Sequence, residues 1–129
     1  MTKILLLCIY SQNELLQVVL NILNNAKDAL KEFRLEDRKI FITIYQEENN
    51  AVISIKDNAG GIPEKLLPKI FDAYFTTKHQ SQGTGLGLYM SYQIITNRFG
   101  GMIDVINEEY LYHGAKYKGA NFKIIIPLG

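Results

Sequence analysis

Apolar residues recur at helical spacing in the first third of the chain. They place a continuous apolar stripe on one side of a helix and comprise Leu15, Val19, Ile22, Leu23, Ala26, Leu30 and Phe33. Ser11 and Glu14 have the spacing of a capping box, with Ser11 as the N-cap. The pattern predicts a helix from about Ser11 to Phe33 that packs on a core.

Strand patterns follow this helix. The β-rich runs Ile40–Tyr45 and Ala51–Lys56, joined by polar EENN, predict a hairpin. Met102–Asn107 and Phe122–Pro127 predict two more strands, with EEYLYHGAKYKG between them as a loop or an extended hairpin tip. Ile4–Tyr10 is interpreted as a further, buried strand.

The remaining elements complete a two-layer arrangement. Pro63 favours the start of a short helix that Pro68 interrupts. A second long helix is predicted over about 86–99, ended by Gly100 and Gly101, and residues 75–83 read as a mobile loop. We therefore predict an α+β fold, in which three helices cover one face of a mixed, mostly antiparallel sheet. Residues 1–129 form a single domain in this interpretation.

Charge, cysteine content and apolar runs argue against several kinds of binding partner and against a membrane segment. The net charge of +1 gives no electrostatic case for binding nucleic acid or an anionic membrane. Cys8 is the single cysteine, so an internal disulfide is excluded and a reducing compartment is favoured. The apolar run Ile4–Tyr10 is far shorter than the roughly 20 residues of a membrane-spanning helix. We expect a cytoplasmic, monomeric domain without a membrane segment.

A polar row lies on the first helix, away from the apolar stripe. Gln17, Asn21, Asn25 and Asp28 follow one another at spacings of four, four and three residues, so their side chains line up. The row is either an ordinary solvated face or one wall of a site. Amide oxygens of such a row can ligate a hard cation such as Mg²⁺.

Two glycine clusters suggest chemistry. In DNAGG, Asp57 ends a predicted strand, where its carboxylate can accept a hydrogen bond from an exocyclic amine; a plain turn is the alternative. In GTGLGL, glycines 83, 85 and 87 precede a helix, and free backbone N–H groups there attract phosphate. Neither a Rossmann βαβ fingerprint nor a GxxxxGK[ST] motif is present.

Taken in order, four segments resemble a known family. NILNNAKDAL, DNAGGIP, KIFDAYFTTK and GTGLGL resemble the N, G1, F and G2 boxes of the GHKL ATP-binding superfamily, in particular the catalytic ATP-binding domain of sensor histidine kinases. The tail KGANFKIIIP is similar to the closing strand of that family, and the likeness spans about Glu14 to Leu128. The resemblance implies the Bergerat fold, with ATP and Mg²⁺ as cofactors.

The resemblance also implies roles for individual residues. Asn25 would ligate Mg²⁺, and Asn21 would hold metal-bound water and phosphate. Asp57 would bind the adenine amino group beside Gly61, and Lys78 would reach the terminal phosphates. Asn21 and Lys78 are thus the implied catalytic residues. The other implied nucleotide contacts are Asp28, Ile62, Phe71, Phe75, Thr77, Gly83, Thr84, Gly85, Leu86, Gly87 and Leu88, with Phe71 and Phe75 anchoring a lid over about 76–84.

Three positions depart from the family pattern. Ala59 replaces a glycine of the G1 box, and Ala120 stands where relatives often have threonine. Asp28 occupies a position that is often basic. Because a carboxylate beside a triphosphate is costly, we expect Asp28 to lie toward the adenine or sugar or to bond within the protein.

The N box favours phosphoryl transfer over hydrolysis. Hydrolytic relatives carry a water-activating glutamate where this chain has Asn21, whose amide is not a useful base. The resemblance implies an ATP:protein-histidine phosphotransferase domain whose phosphoacceptor helical domain is absent here, so that it does not autophosphorylate alone. Its partners would be that domain and a response regulator.

The alternatives are a stand-alone protein-serine kinase of the anti-sigma-factor type and a non-catalytic interaction module. His79 and His113 are interpreted as loop histidines.

Overall fold

Four antiparallel strands form one sheet in the described part of the chain. The structure is a computed structural model, and it describes residues 12–33, 36–75 and 86–129. The strands are β1 (Ile40–Glu47), β2 (Asn50–Asp57), β3 (Met102–Tyr112) and β4 (Ala115–Pro127), in the spatial order β1-β2-β4-β3. The α+β class and the antiparallel sheet agree with the prediction.

Within residues 12–33, 36–75 and 86–129, two helices and one short 3₁₀ segment accompany the sheet. Helix α1 spans Gln12–Phe33, and α2 spans Gly87–Gln93 and continues as a π-helical turn over Ile94–Arg98. The segment Glu64–Lys69 is a 3₁₀ helix. The prediction that Pro68 interrupts this helix was wrong, because Pro68 lies inside it, one residue before its end. Pro63 directly precedes the helix in an extended conformation.

The β3–β4 hairpin is longer than the two predicted strands. Its extended tip, one of the two interpretations of EEYLYHGAKYKG, is the correct one, since strand pairing continues to Tyr112 opposite Ala115. Tyr110 pairs with Tyr117 across this region, and their ring centroids are 5.9 Å apart. Cross-strand aromatic pairs of this kind stabilise strands that lack a buried alternating pattern.

The core lies between α1 and one face of the sheet. Fully or nearly fully buried side chains from both layers meet there: Leu15, Val18, Ile22, Ile53, Ile55, Ile70, Ile95, Ile103, Ala120, Phe122, Ile124 and Ile126. The predicted stripe is mostly buried, although Phe33 is 56% exposed. Phe33 departs from the stripe because α1 ends there, and its ring lies against Gly60 instead of the core.

Several predictions concern residues outside the described ranges. They are the strand Ile4–Tyr10, the N-cap Ser11 and the lid over about 76–84. Of the helices in the described ranges, none combines the length and the apolar character that crossing a membrane requires.

The first prediction tests the packing of α1. Ile22 is 0% exposed, and Ile22→Ala should lower the free energy of unfolding by about 2–5 kcal/mol through lost burial and a residual cavity. Leu20, on the same helix, is 48% exposed, and Leu20→Ala should cost less than about 1 kcal/mol. Urea unfolding measures both losses. Equal losses for the two variants would contradict the described orientation of α1.

Candidate nucleotide-binding site

Asp57, the last residue of β2, holds a buried carboxylate at the end of the sheet. The residue is 3% exposed. Its Oδ1 atom accepts hydrogen bonds from the backbone N–H of Ala59 at 3.0 Å and of Ala120 at 3.2 Å. None of the described residues donates to Oδ2. Since no buried side-chain oxygen in the described ranges lacks a partner, Oδ2 retains some contact with solvent.

Gly119 on β4 makes room for this carboxylate. A Cβ atom at position 119 would overlap the carbonyl oxygen of Asp57 and would lie 2.6 Å from Oδ1. Residue 119 must therefore be glycine if the backbone of β4 is to approach Asp57 this closely. Gly119 lies in the segment KGANFKIIIP, which resembles the closing strand of GHKL domains.

Burial raises the pKa of Asp57 above its ordinary value, and the N–H groups of Ala59 and Ala120 partly offset this rise. The hydroxyl of Tyr110 donates a hydrogen bond to the Asp57 carbonyl oxygen at 2.7 Å. Burial, followed by the charges of Asp57 and Glu108, raises the pKa of Tyr110 to about 12. Tyr110 consequently remains a hydrogen-bond donor at neutral pH.

The loop after Asp57 is attached to its surroundings at successive residues. The side chain of Asn58 is 5% exposed; its Oδ1 accepts from the N–H of Lys39 at 2.9 Å, and its Nδ2 donates to the Asp37 carbonyl at 2.7 Å. The N–H of Gly60 donates to the carbonyl of Lys118 at 2.9 Å. These bonds within the protein fix the loop over 57–60.

A cavity of about 200 Å³ separates α1 from this loop. Polar side chains of α1 line one side of it, and apolar residues from the loop, the 3₁₀ segment and α2 line the other. The lining residues are Asn25, Asp28, Ala29, Glu32, Gly61, Ile62, Pro63, Leu66, Ile70, Phe75 and Leu88. A mainly apolar cleft with a few polar groups at one side is the usual form of a small-molecule site.

Asn21 lies one turn before Asn25 and connects the two helices. Its Nδ2 donates to the Gly87 carbonyl at 3.2 Å and to Oγ of Ser91 at 3.0 Å. Ser91, which is 0% exposed, in turn donates to the same Gly87 carbonyl at 2.9 Å. The amide nitrogen of Asn21 therefore holds the start of α2 against α1.

The aromatic residues of KIFDAYF pack in different ways. Phe71 contacts Phe122 edge-on, with ring centroids 6.3 Å apart, and lies 5.5 Å from the ring of Tyr92. Phe75 packs against the core and also lines the cavity. Tyr74 between them is 74% exposed and has a positive φ of 65°.

The structure thus brings some of the predicted site residues to one cavity and places others beside it. Those that line the cavity are Asn25, Asp28, Gly61, Ile62, Phe75 and Leu88. Those that lie outside its lining are Asn21, Asp57, Phe71, Leu86 and Gly87. Thr77, Lys78, Gly83, Thr84, Gly85 and His79 lie outside the described residues. His113 is exposed in the turn between β3 and β4.

Sequence reasoning missed the residues that support the site from the sheet. Asn107 and Tyr110 are separated from the loop backbone that they bind by 45 and 53 residues, and Asn58 in the loop is separated by 19 residues from the backbone of Lys39. Asn107 and Tyr110 fall in or beside a stretch whose strand pattern was weak. Glu32, which lines the cavity, was also missed, although it extends the row of Asn25 and Asp28 by one helical turn.

Comparison with known families identifies the class of protein to which this fold belongs. The sequence profile of the histidine kinase-, DNA gyrase B- and HSP90-like ATPase family matches residues 10–129. The chain belongs to this family.

Named relatives are sensor kinases. The two-component sensor PprA of Pseudomonas aeruginosa is 35% identical over 124 residues, which cover 90% of this chain and 12% of PprA. The signal transduction histidine-protein kinase AtoS of Escherichia coli is 40% identical over 122 residues, covering 93% of this chain and 18% of AtoS. The chain thus spans less than a fifth of either relative.

A solved structure has the same architecture. The nucleotide-free catalytic domain of the histidine kinase ThkA superposes with a TM-score of 0.70 at 35% sequence identity. The match covers 88% of this chain and 66% of the ThkA chain. The described sheet and helices are therefore those of a histidine kinase catalytic domain.

The second prediction concerns the pH dependence of stability. The pKa of Asp57 in the folded state lies above its ordinary value of 3.8, so the folded state binds this proton more tightly than the unfolded state does. The contribution of Asp57 to the free energy of unfolding should therefore fall as the pH rises above 3.8, and level off above the folded-state pKa. Asp57→Asn keeps an acceptor oxygen and removes the charge.

Urea unfolding of both chains across this pH range measures the effect. The free energy of unfolding of the unmutated chain, minus that of Asp57→Asn, should decrease with rising pH. A difference that does not change with pH would contradict a raised pKa for Asp57.

Proposed function

We propose that this chain binds Mg·ATP in the cavity between α1 and the 57–62 loop. In this proposal it donates the γ-phosphoryl group to a histidine on a separate helical domain of a two-component sensor. The P–O bond to the β-phosphate breaks and leaves ADP, and a P–N bond to the histidine forms. Membership of the ATPase family and similarity to named histidine kinases support this proposal.

The proposal rests on one observation: the protein has both a cleft and a hydrogen-bond acceptor, the Asp57 carboxylate, whose position is fixed by backbone N–H groups. Asp57 is bonded through Oδ1, and Oδ2 is left without a donor among the described residues. An exocyclic amine, which the adenine base carries, is a matching donor for such a carboxylate oxygen. Gly61 and Ile62 follow Asp57 along the loop and line the cavity, so the base would lie along this loop.

The residues on α1 fit the metal and phosphate end of the ligand. Asn25 lines the cavity and supplies an amide oxygen, a neutral form of the oxygen ligand that Mg²⁺ prefers. We assign Asn25 as the protein ligand. Within the described ranges, no group of three or more His, Cys, Asp or Glu side chains forms a metal site. Phosphate oxygens and water would complete the coordination. When bound, Mg²⁺ neutralises charge on the phosphates during transfer.

The contacts of Asn21 support transfer to a protein acceptor instead of water. Its nitrogen donates to Gly87 and Ser91, which orients the amide but provides no base for activating water. Lys78 and the glycines at 83 and 85, outside the described residues, are proposed to contact the phosphates. We further propose a response regulator as the downstream partner.

The third prediction tests nucleotide binding. Titration calorimetry should give a micromolar Kd for Mg·ATP with the unmutated chain. Asp57→Asn should abolish measurable binding, because an amide group at position 57 brings its own donor toward the adenine amine. Asn25→Asp should do the same, because it adds negative charge beside Asp28 and the phosphates.

Asp104 provides a matched control, since it is an exposed aspartate on β3. Asp104→Asn should bind Mg·ATP as the unmutated chain does. If the unmutated chain bound neither ATP nor ADP at millimolar ligand, the proposed function would be wrong.

The fourth prediction tests transfer against hydrolysis. The unmutated chain should release almost no phosphate from Mg·ATP, whereas Asn21→Glu supplies a carboxylate that can activate water and should raise the rate. The same substitution removes the donor to Gly87 and Ser91, so a thermal melt must accompany the assay. Asn21→Ala, which loses the donor without gaining a base, is the control. Robust turnover by the unmutated chain would contradict the transfer proposal.

A further inference from the structure

Asn107 on β3 binds the backbone of Ile62 at two points. Its Oδ1 accepts from the N–H of Ile62 at 2.8 Å, and its Nδ2 donates to the carbonyl of Ile62 at 2.6 Å. In antiparallel strands, the two residues of each hydrogen-bonded pair exchange the same two bonds. The side-chain amide thus takes the place of a neighbouring strand for one residue of the loop.

The adjacent Gly61 has no side chain, and this leaves room for the amide of Asn107. A Cβ atom at position 61 would lie 2.7 Å from Oδ1 of Asn107, and the φ angle of Gly61 is +91°. A side chain at position 61 would meet both a steric conflict and a strained backbone. Gly61 and Asn107 therefore form one unit, in which the glycine leaves space that the amide occupies.

Asn107 and Gly61 are also connected to Asp57, through Ala120 on β4. Asn107 faces Ala120 in the β3–β4 register, and the N–H of Ala120 donates to Oδ1 of Asp57. The facing residues Asn107 and Ala120 consequently bind the two ends of the loop that begins at Asp57 and ends at Ile62. The other bond of Asn107, from Nδ2 to Glu64 Oε1 at 3.3 Å, extends this attachment to the start of the 3₁₀ segment.

We infer that Asn107 is a positioning residue of the nucleotide site. Gly61 and Ile62 line the cavity, whereas Asn107 does not, so Asn107 acts through them by setting the distance between the loop wall and α1. The inference rests on the proposed function. An amide is needed because it offers both an acceptor oxygen and a donor nitrogen; a carboxylate supplies only acceptors, and alanine supplies neither.

The fifth prediction compares Asn107→Ala and Asn107→Asp by three measurements: the Kd for Mg·ATP, the hydrogen exchange of the Ile62 amide, and the thermal midpoint. Asn107→Ala should weaken ATP binding by about tenfold or more, because it removes both hydrogen bonds that hold Ile62 in the wall of the cavity. It should also accelerate exchange at Ile62 in the absence of nucleotide. Asn107→Asp keeps the acceptor, so exchange at Ile62 should stay slow while ATP binding weakens.

Asn97→Ala is the matched control. Asn97 is an exposed amide whose Nδ2 donates to Gln93 within the second helix, and its removal should change neither ATP binding nor exchange at Ile62. If Asn107→Ala proves unstable, Asn107→Asp carries the test, because it preserves side-chain size.

The outcomes separate the two claims. Failure of the unmutated chain to bind ATP would overturn the proposed function, and exchange at Ile62 would still report on the attachment. If the unmutated chain binds ATP and both Asn107 variants bind it equally well, the positioning role is wrong, whatever happens to exchange. Unchanged exchange at Ile62 in Asn107→Ala would also overturn it.

Discussion

The site depends on the contact between the Asp57 carboxylate and the backbone of β4. Asp57 is 3% exposed as a residue, so its carboxylate is costly to bury, and two backbone N–H groups compensate for part of that cost. The contact is possible only because position 119 has no side chain. Asp57 is therefore placed by contacts within the protein, and the loop that follows begins at a residue of fixed position.

From that point the loop is preorganised along its length. Asn58, Gly60 and Ile62 are each bonded to a different part of the chain, and these bonds come from the segment before β1, from β4 and from β3 respectively. Across the cavity, α1 buries Ile22 and Ala26 in the core while presenting Asn25 to the site. One helix thus supplies both the packing that fixes its own position and the polar groups that face the ligand. A site held in this way loses little entropy on binding.

The sequence predicted what local patterns encode. The helical stripe from Leu15 to Leu30 and the β1–β2 hairpin follow from local spacing, whereas the grouping of Asn25 with Gly61 follows from the resemblance of the N and G1 boxes to those of the family. The tip of the β3–β4 hairpin was left open, because its strands are stabilised by cross-strand aromatic pairs such as Tyr110 and Tyr117, which no local pattern reveals. The amide of Asn107 was missed for the same reason: its partner lies 45 residues away.

The central claim is that a nucleotide lies between α1 and the loop that follows Asp57. An NMR titration of the ¹⁵N-labelled chain with Mg·ATP tests it most directly, because each backbone N–H and the Asn25 side-chain amide report separately. The account predicts the largest shifts at Ala59, Gly61, Ile62 and the Asn25 side chain, with small shifts at Thr43 and Ser54 on the opposite face of the sheet. Shifts concentrated on that opposite face, with none at Gly61 or Asn25, would contradict it.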